Sequence, residues 1–199
     1  AAYARTSAVV FLSEDPDDYV DMLVAAAAIP DFADLVLFVG PAAYRPNLLV
    51  DAETARPLFG NLRGVRSATR QGAVADVFRA SFSTAWGGKN PDSSPYAGQA
   101  YDSAWSAFSG MLWSGMRYGK VTRDGVAEGL DNVSFGVPVS LGPGGWTQLV
   151  AQFGDISSVD LDGASSPLDF DAQSRAIRGP VGIWTVEDDA FVTLREDSF

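Results

Sequence analysis

Carboxylates are the main chemically active side chains of this sequence. It has 25 Asp and Glu residues against 14 Lys and Arg, and it contains no Cys and no His. Thiol chemistry, the usual zinc sites and a Ser-His-Asp triad are therefore excluded. Glu14, Asp15 and the aspartates within 160–171 are the candidates for an acid and base pair. Glycoside hydrolysis needs two carboxylates about 5–10 Å apart across a cleft, and no spacing here fixes such a pair. We predict no catalytic residues and no enzyme activity.

Two further motifs fail the tests for an ion site or a phosphate site. Four aspartates suggest calcium at first sight: Asp160, Asp162, Asp169 and Asp171. In a loop counted from Asp160, the turn glycine falls at the fourth position instead of the sixth, unlike an EF-hand. The glycine-rich stretch 142–145 lacks the Lys-Ser/Thr of a phosphate loop. We predict a solvated acidic turn, an ordinary glycine turn, no metal and no cofactor.

Composition bounds the class of protein. The 199 residues suffice for one sizeable core or two small ones, and 47% of them are hydrophobic, which indicates a folded chain. The net charge of −11 argues against nucleic acid as a partner, because phosphate binding needs clustered Lys and Arg. No apolar run approaches eighteen residues, so no membrane insertion of this segment is predicted.

The elements alternate as in an α/β protein. Continuous apolar runs at 8–12 and 35–39 are typical of buried parallel strands. A helical stripe lies between them, formed by Tyr19, Val20, Leu23, Val24 and Ala27. A strand, a helix and a second strand in this order predict a parallel crossover. Ligands of such sheets bind beyond the carboxyl ends of the strands, so we expect the loops 13–15 and 40–44 to converge on one site.

The rest of the chain continues the pattern. Helices are predicted over about 51–59, 73–86, 123–133 and 146–153, and a third short strand at 64–65. A longer helical stripe comprises Tyr101, Ala104, Trp105, Phe108, Met111, Leu112 and Gly115. Near the end, 183–186 and 191–193 are predicted to form a hairpin that turns at 187–189.

Several segments together resemble one protein family. The stretch 159–171, followed by the hairpin sequence of 181–192, is similar to the C-terminal end of type I extracytoplasmic solute-binding proteins of ABC transporters, the branched-chain amino-acid receptor family. Pro95-Tyr96 and the segment 99–104 resemble the start of a helix in that family. The segment 38–41 resembles its strand-to-loop turn above the ligand. The order and spacing of these segments carry the resemblance, which is spread thinly over nearly the whole chain.

The resemblance implies a type I periplasmic-binding-protein-like fold. This fold has Rossmann-like parallel-sheet lobes with flanking helices, here with a C-terminal β hairpin. Residues 1–66 and 155–199 would belong to the second lobe, and residues 67–154 to the helical part of the first lobe. Members are roughly twice as long, so we expect a C-terminal portion without the N-terminal strands of the first lobe and without a signal peptide. The stripe over 101–115 would then be an exposed apolar patch.

The implied function is the capture of a small polar solute, such as an amino acid or amide, for an ABC permease in a periplasmic or extracytoplasmic compartment. A ligand-sensing receptor domain of the same fold and a non-catalytic interaction protein are the alternatives. An isolated half is expected to bind weakly or not at all. The candidate ligand-binding residues are Ser13, Glu14, Asp15, Pro41, Ala42, Tyr44, Tyr96 and Tyr101.

Each candidate has a structural alternative. Glu14 or Asp15 could hold a ligand ammonium, but for either residue alone we favour helix capping. Tyr96 matches an aromatic of the family's pocket and equally fits hinge packing, whereas Tyr101 fits the core better. Tyr44 could close over a ligand or face solvent. Ala42 stands where the amino-acid receptors often carry an acid, so either Glu14 or Asp15 replaces that acid or the ligand is not an ordinary α-amino acid.

Overall fold

A computed structural model describes residues 7–68, 70–94, 96–155, 157–171, 173–174, 177 and 179–197. The chain divides into two compact units. Unit 1 consists of 1–68, 93–95 and 181–198, and unit 2 of 69–92, 96–180 and residue 199. No helix in the described ranges is both long and apolar enough to cross a membrane.

Strands and helices follow one another in the predicted order, with one additional strand at Val137–Ser140. Unit 1 begins with β1 (Ala8–Phe11), α1 (Pro16–Ala27), β2 (Val36–Val39), α2 (Leu48–Asp51) and β3 (Leu62–Ser67). Unit 2 has α3 (Ala73–Ala85), α4 (Ala97–Tyr118), α5 (Arg123–Asp131), β4 (Val137–Ser140), α6 (Gly145–Gly154) and β5 (Val159–Asp162). The chain ends with β6 (Val181–Glu187) and β7 (Ala190–Asp197) in unit 1.

The sheet of unit 1 has the order β1-β2-β3-β6-β7. The first three strands are parallel, and β6 runs antiparallel to both β3 and β7. The predicted parallel strand pair and the C-terminal hairpin are thus confirmed. Glu187 pairs with Ala190 across a two-residue turn, whose Asp188 and Asp189 have φ of 50° and 59°. Positive φ at both central residues is what a tight hairpin turn requires.

The core of unit 1 lies under one face of this sheet. The fully buried side chains include Tyr19 and Leu23 of α1, Leu37 of β2 and Trp184 of β6. The predicted stripe of α1 is only partly correct, because Val24 and Ala27 are exposed and Ala26 is buried instead. Tyr19, Leu23 and Ala26 follow the spacing i, i+4, i+7, which keeps them on one helix face.

The helix predicted over 51–59 is a short α2 followed by a 3-10 helix, Glu53–Asn61. Pro57 lies inside the second segment and has no N–H to donate, which disfavours a continuous α-helix there.

Unit 2 has its own core around a second sheet, in which β4 and β5 are parallel. Strand β4 was not predicted, because its four residues include Pro138, which disfavours a strand. Of the residues after about 155, those up to 180 belong to unit 2, where β5 pairs with β4, and the C-terminal hairpin belongs to unit 1. How the units correspond to the lobes of a larger fold remains a prediction.

Helix α4 packs through a face different from its large apolar stripe. Its buried residues are mostly small or polar: Asp102, Ser106, Ser109, Gly110, Trp113 and Ser114. Phe108 is 56% exposed and Met111 is 44% exposed, whereas Leu112 packs against the core, so only part of the stripe is exposed as expected. Tyr101 and Trp105 are partly buried against the core of unit 2.

Candidate functional site

Three parallel strands of unit 1 end at the same edge of the sheet, which we call the carboxyl edge. It consists of the loop 12–15 after β1, the loop 40–44 after β2 and residue 68 after β3. The register places Phe11 beside Val39, so β1 and β2 end at the same level, and Val39 beside Gly64, so β3 continues beyond them to Ser67. The first two loops are those that the sequence analysis predicts to carry the ligand.

Tyr19 of α1 joins these two loops. Its hydroxyl donates to the backbone oxygen of Ser13 at 2.8 Å and accepts from the Ser13 N–H at 2.9 Å. A Cβ at Gly40 would lie 2.5 Å from the same hydroxyl, so the second loop can approach only because position 40 is glycine. The ring is fully buried and contacts Phe11 edge to face at 5.3 Å. The burial of Tyr19 is predicted by the helical stripe, whereas the contact of its hydroxyl with both loops is not.

Most acidic groups beside the loop 12–15 are already engaged in local contacts. Asp15 is the N-cap of α1 and accepts from the Asp17 N–H at 2.9 Å, as helix capping predicts. Ser13 donates through Oγ to Asp18 at 2.5 Å and accepts from the Asp15 N–H. Asp17 forms an ion pair with Arg45 at 3.0 Å.

Glu14 differs from these neighbours. Its side chain is exposed and forms no hydrogen bond or ion pair with any residue that the structure describes. Of the predicted residues in this loop, Glu14 therefore has a carboxylate available to a solute.

The second loop begins with a 3-10 helix, Pro41–Ala43. Pro41 and Ala42 are partly exposed at its surface. The ring of Tyr44 packs against Trp184 and Phe191 at centroid distances of 5.7 and 4.9 Å. Tyr44 is thus anchored to the hairpin and does not project into solvent.

Arg66 stabilises the position of Tyr44. Its guanidinium lies 5.0 Å from the centroid of the Tyr44 ring, within the range of a cation–π contact. The same group binds Thr193 and Glu196 of β7 at 3.1 and 3.2 Å. The second loop, the end of β3 and the hairpin are therefore linked through one cation.

The remaining candidates lie in unit 2. Tyr96 is the residue before α4 and is 48% exposed. Tyr101 packs between Phe78 and Trp105 at centroid distances of 4.8 and 6.3 Å. Desolvation of the partly buried hydroxyl is the main reason that the pKa of Tyr101 is raised above 10.0. These contacts suit a packing residue, which is the alternative favoured for Tyr101.

Asp102 was not singled out from the sequence, yet it joins two of the segments that carry the family resemblance. Its buried carboxylate accepts from the N–H groups of Ala164 and Ser165, each at 2.7 Å, and from the Ser165 hydroxyl at 2.5 Å. A Cβ at Gly163 would lie 2.6 Å from a carboxylate oxygen, so glycine is required there. Burial is the main cause of a pKa above the usual 3.8, although the hydrogen bonds from Ser165 and Ala164 oppose it.

The acidic turn of unit 2 engages its carboxylates internally. Asp162 forms an ion pair with Arg70 at 2.5 Å, and Arg70 also donates to the Gly163 oxygen. Asp171 accepts from the N–H groups of Gln173 and Ser174. Burial and then the nearby Asp169 and Asp162 raise the pKa of Asp160 above 3.8. Within the described ranges, no three acidic residues are arranged to hold a metal ion.

Comparison with known proteins agrees with this architecture at the level of the fold. No protein-family model matches the chain, and no curated protein sequence matches it significantly. Among solved structures, a leucine-binding protein LivK from Thermotoga maritima MSB8 is similar, with a TM-score of 0.62 and 16% sequence identity. The match covers 96% of this chain and 45% of that protein, so the chain spans less than half of its structural neighbour. The mixed α/β chain thus has a type I periplasmic-binding-protein-like fold.

Proposed function

We propose that the chain contributes to the binding of a small, amine-bearing polar solute, such as an amino acid or its amide, at the carboxyl edge of unit 1. Support comes from the position of this edge, because open α/β sheets bind ligands beyond the carboxyl ends of their strands. The structural neighbour is described as a leucine-binding protein, which makes leucine the first solute to test.

The single observation that carries the proposal is the exposed Glu14 carboxylate on a loop held by Tyr19. Asp15 caps α1 and Asp17 pairs with Arg45, whereas Glu14 has no such partner among the described residues. A carboxylate binds an ammonium through a charge-assisted hydrogen bond. Amino-acid receptors of the family often carry an acidic residue at the position of Ala42. Glu14 would then supply the carboxylate that this position lacks here.

The rest of the edge has features that favour a defined site. Tyr19 holds the first loop through its two hydrogen bonds to Ser13 and packs closely against Gly40 of the second loop, whose far end is held by Arg66 with Tyr44. Preorganised loops lower the ordering cost of binding. Because Glu14 is exposed and water screens its charge, we expect an affinity in the millimolar range for this chain alone.

The biological setting is proposed from the family resemblance. Members of that family capture their solute outside the cytoplasm and deliver it to an ABC permease. The same role is proposed here. A non-catalytic role fits both the residue types and the structural neighbour, which is a binding protein.

A matched pair of ligands and a matched pair of variants test the role of Glu14. We expect leucine to bind the wild-type chain more tightly than 4-methylpentanoate, which lacks the amine. Glu14→Gln should weaken leucine binding about two- to fivefold, since an exposed ion pair is worth up to about 1 kcal/mol. Binding is measured from amide chemical shifts in a ¹⁵N-labelled sample, which detect millimolar affinities.

The control is Asp21→Asn, which removes an exposed charge from the middle of α1 without changing the loop. It should leave leucine binding unchanged. Equal weakening by both variants would mean that Glu14 acts only through the net charge of the chain, and the proposed contact would be rejected.

A further inference from the structure

Unit 2 contains a cavity where the C-terminal ends of α4 and α6 meet. Its volume is about 200 Å³, and it is lined by Trp113, Met116, Arg117, Phe153 and Gly154. Several water molecules, at about 30 Å³ each, would fill this volume. It is smaller than the roughly 300–1,000 Å³ of pockets for drug-sized ligands. The cavity therefore suits a molecule with a single ring or a short branched chain.

The wall of this cavity is aromatic. Trp113 is 6% exposed and Phe153 is 4% exposed, and their rings meet edge to face at a centroid distance of 5.2 Å. Met116 supplies a flexible thioether at the same site and is 42% exposed. A flexible thioether and aromatic rings make favourable contacts with the ring of an aromatic ligand.

One polar group completes the lining, the guanidinium of Arg117. The indole N–H of Trp113 has no hydrogen-bond partner among the described residues, but it is closed to water and therefore also to a ligand in the cavity. Arg117 lies in the last turn of α4, where its guanidinium contacts the Tyr118 hydroxyl and forms no ion pair with a carboxylate that the structure describes. The exposed guanidinium is a ready partner for an anionic oxygen.

We propose that this cavity is a second small-molecule site, selective for a small carboxylic acid with a compact apolar body. Arg117 binds the carboxylate, and Trp113, Phe153 and Met116 enclose the apolar part. The site belongs to unit 2 and uses no residue of the carboxyl edge. It is therefore independent of the function proposed above, and either site can fail without the other.

Benzoate is the probe, and benzamide is its neutral counterpart of the same shape. We expect benzoate to shift the indole N–H resonance of Trp113, which Trp113→Phe identifies by its disappearance. The dissociation constant should be on the order of 0.1–1 mM for so few non-hydrogen atoms. Benzamide should bind about two- to fivefold more weakly, because it lacks the charge that Arg117 recognises.

Arg117→Gln and Arg123→Gln are the matched variants. Both remove one exposed arginine from unit 2, but only Arg117 lines the cavity. The first should weaken benzoate binding about two- to fivefold, and the second should leave it unchanged. Circular dichroism checks that each variant is folded.

Three results would overturn the proposal. The first is that benzoate at about a hundred times the expected dissociation constant moves no resonance of the lining residues. The second is that Arg117→Gln binds benzoate as well as Arg123→Gln does. The third is that benzamide binds as tightly as benzoate, which would show an apolar cavity without selectivity for an acid.

Discussion

Tyr19 is the residue on which the geometry of the carboxyl edge most depends. Its hydroxyl satisfies both the N–H and the carbonyl of Ser13 and also sets the approach of Gly40. The helical stripe predicts that the ring is buried, and this is confirmed. The two hydrogen bonds could not be predicted, because they depend on the backbone of a loop that has no periodic signal of its own.

Replacing Tyr19 by Phe tests this bridge. The ring contact with Phe11 is kept, while both Ser13 groups lose their partner. We expect the free energy of unfolding to fall by about 1–2 kcal/mol in urea titrations. Tyr118→Phe is the control, because its hydroxyl is exposed and its partners, Glu128 and Arg117, are surface residues. A loss as small as that of Tyr118→Phe would mean that Tyr19 does not hold the loop.

Asp102 permits a test in which pH is the variable. Its pKa is raised in the folded chain mainly by burial, so the folded state holds the proton more tightly than the unfolded state. The stability that this group contributes is therefore complete below the usual pKa of 3.8 and is lost as pH rises through the raised value. The free energy of unfolding is measured for the wild type and for Asp102→Asn at several pH values from about 3 to 7.

The difference in unfolding free energy, wild type minus Asp102→Asn, should be larger at the acidic end of that range than at pH 7. Asp155→Asn replaces an exposed aspartate of the same unit and serves as the control. A difference that instead grows as pH rises would show that the hydrogen bonds from Ala164 and Ser165 outweigh burial.

At the scale of elements, the pairing of α4 with α5 depends on small residues. A Cβ at Gly129 would lie 2.8 Å from the Cα of Gly110, and one at Gly125 would lie 2.3 Å from the hydroxyl oxygen of Ser114. The small residues of α4 indicate close packing already in the sequence. The direction of its buried face was not predictable, because some of the large side chains that normally mark a core, such as Phe108 and Met111, are exposed here.

Two glycine substitutions separate packing from helix propensity. Gly129→Ala places a methyl group against the backbone of α4, and we expect it to destabilise the chain by about 1–2 kcal/mol. Gly115→Ala adds the same group inside α4, where no atom lies within 4 Å, and should stabilise by about 0.5–1 kcal/mol. Thermal unfolding of both variants measures these effects. A stabilising Gly129→Ala would mean that the helices are not in close contact.

Helix termini were more predictable than strands at this scale. Asp15 and Thr122 cap α1 and α5 as their sequences indicate, because a cap depends only on neighbouring residues. Strand β4 was not predicted, because it is recognised only by its pairing with β5, which lies later in the chain. Its own four residues contain Pro138 and give no strand signal.

At the scale of the whole molecule, the order of strands and helices in unit 1 could be predicted from the apolar runs and the helical spacing of apolar residues. Apolar runs cannot show which residues after 155 pack with which core, and the structure divides that stretch between the two units. The structural neighbour agrees with the fold inferred from the family resemblance. Ligand identity is not encoded in such patterns, because it depends on a few side chains on loops such as 13–15 and 40–44.

The most direct test of the proposed function is a titration of the ¹⁵N-labelled chain with leucine, followed by other amino acids and their amides, up to about 20 mM. We predict saturable shifts of the backbone amides centred on residues 13–15 and 40–44, with a dissociation constant in the millimolar range. If no solute shifts these amides, or if every shift lies outside both loops, the carboxyl edge of unit 1 is not a solute-binding site and the central claim is wrong.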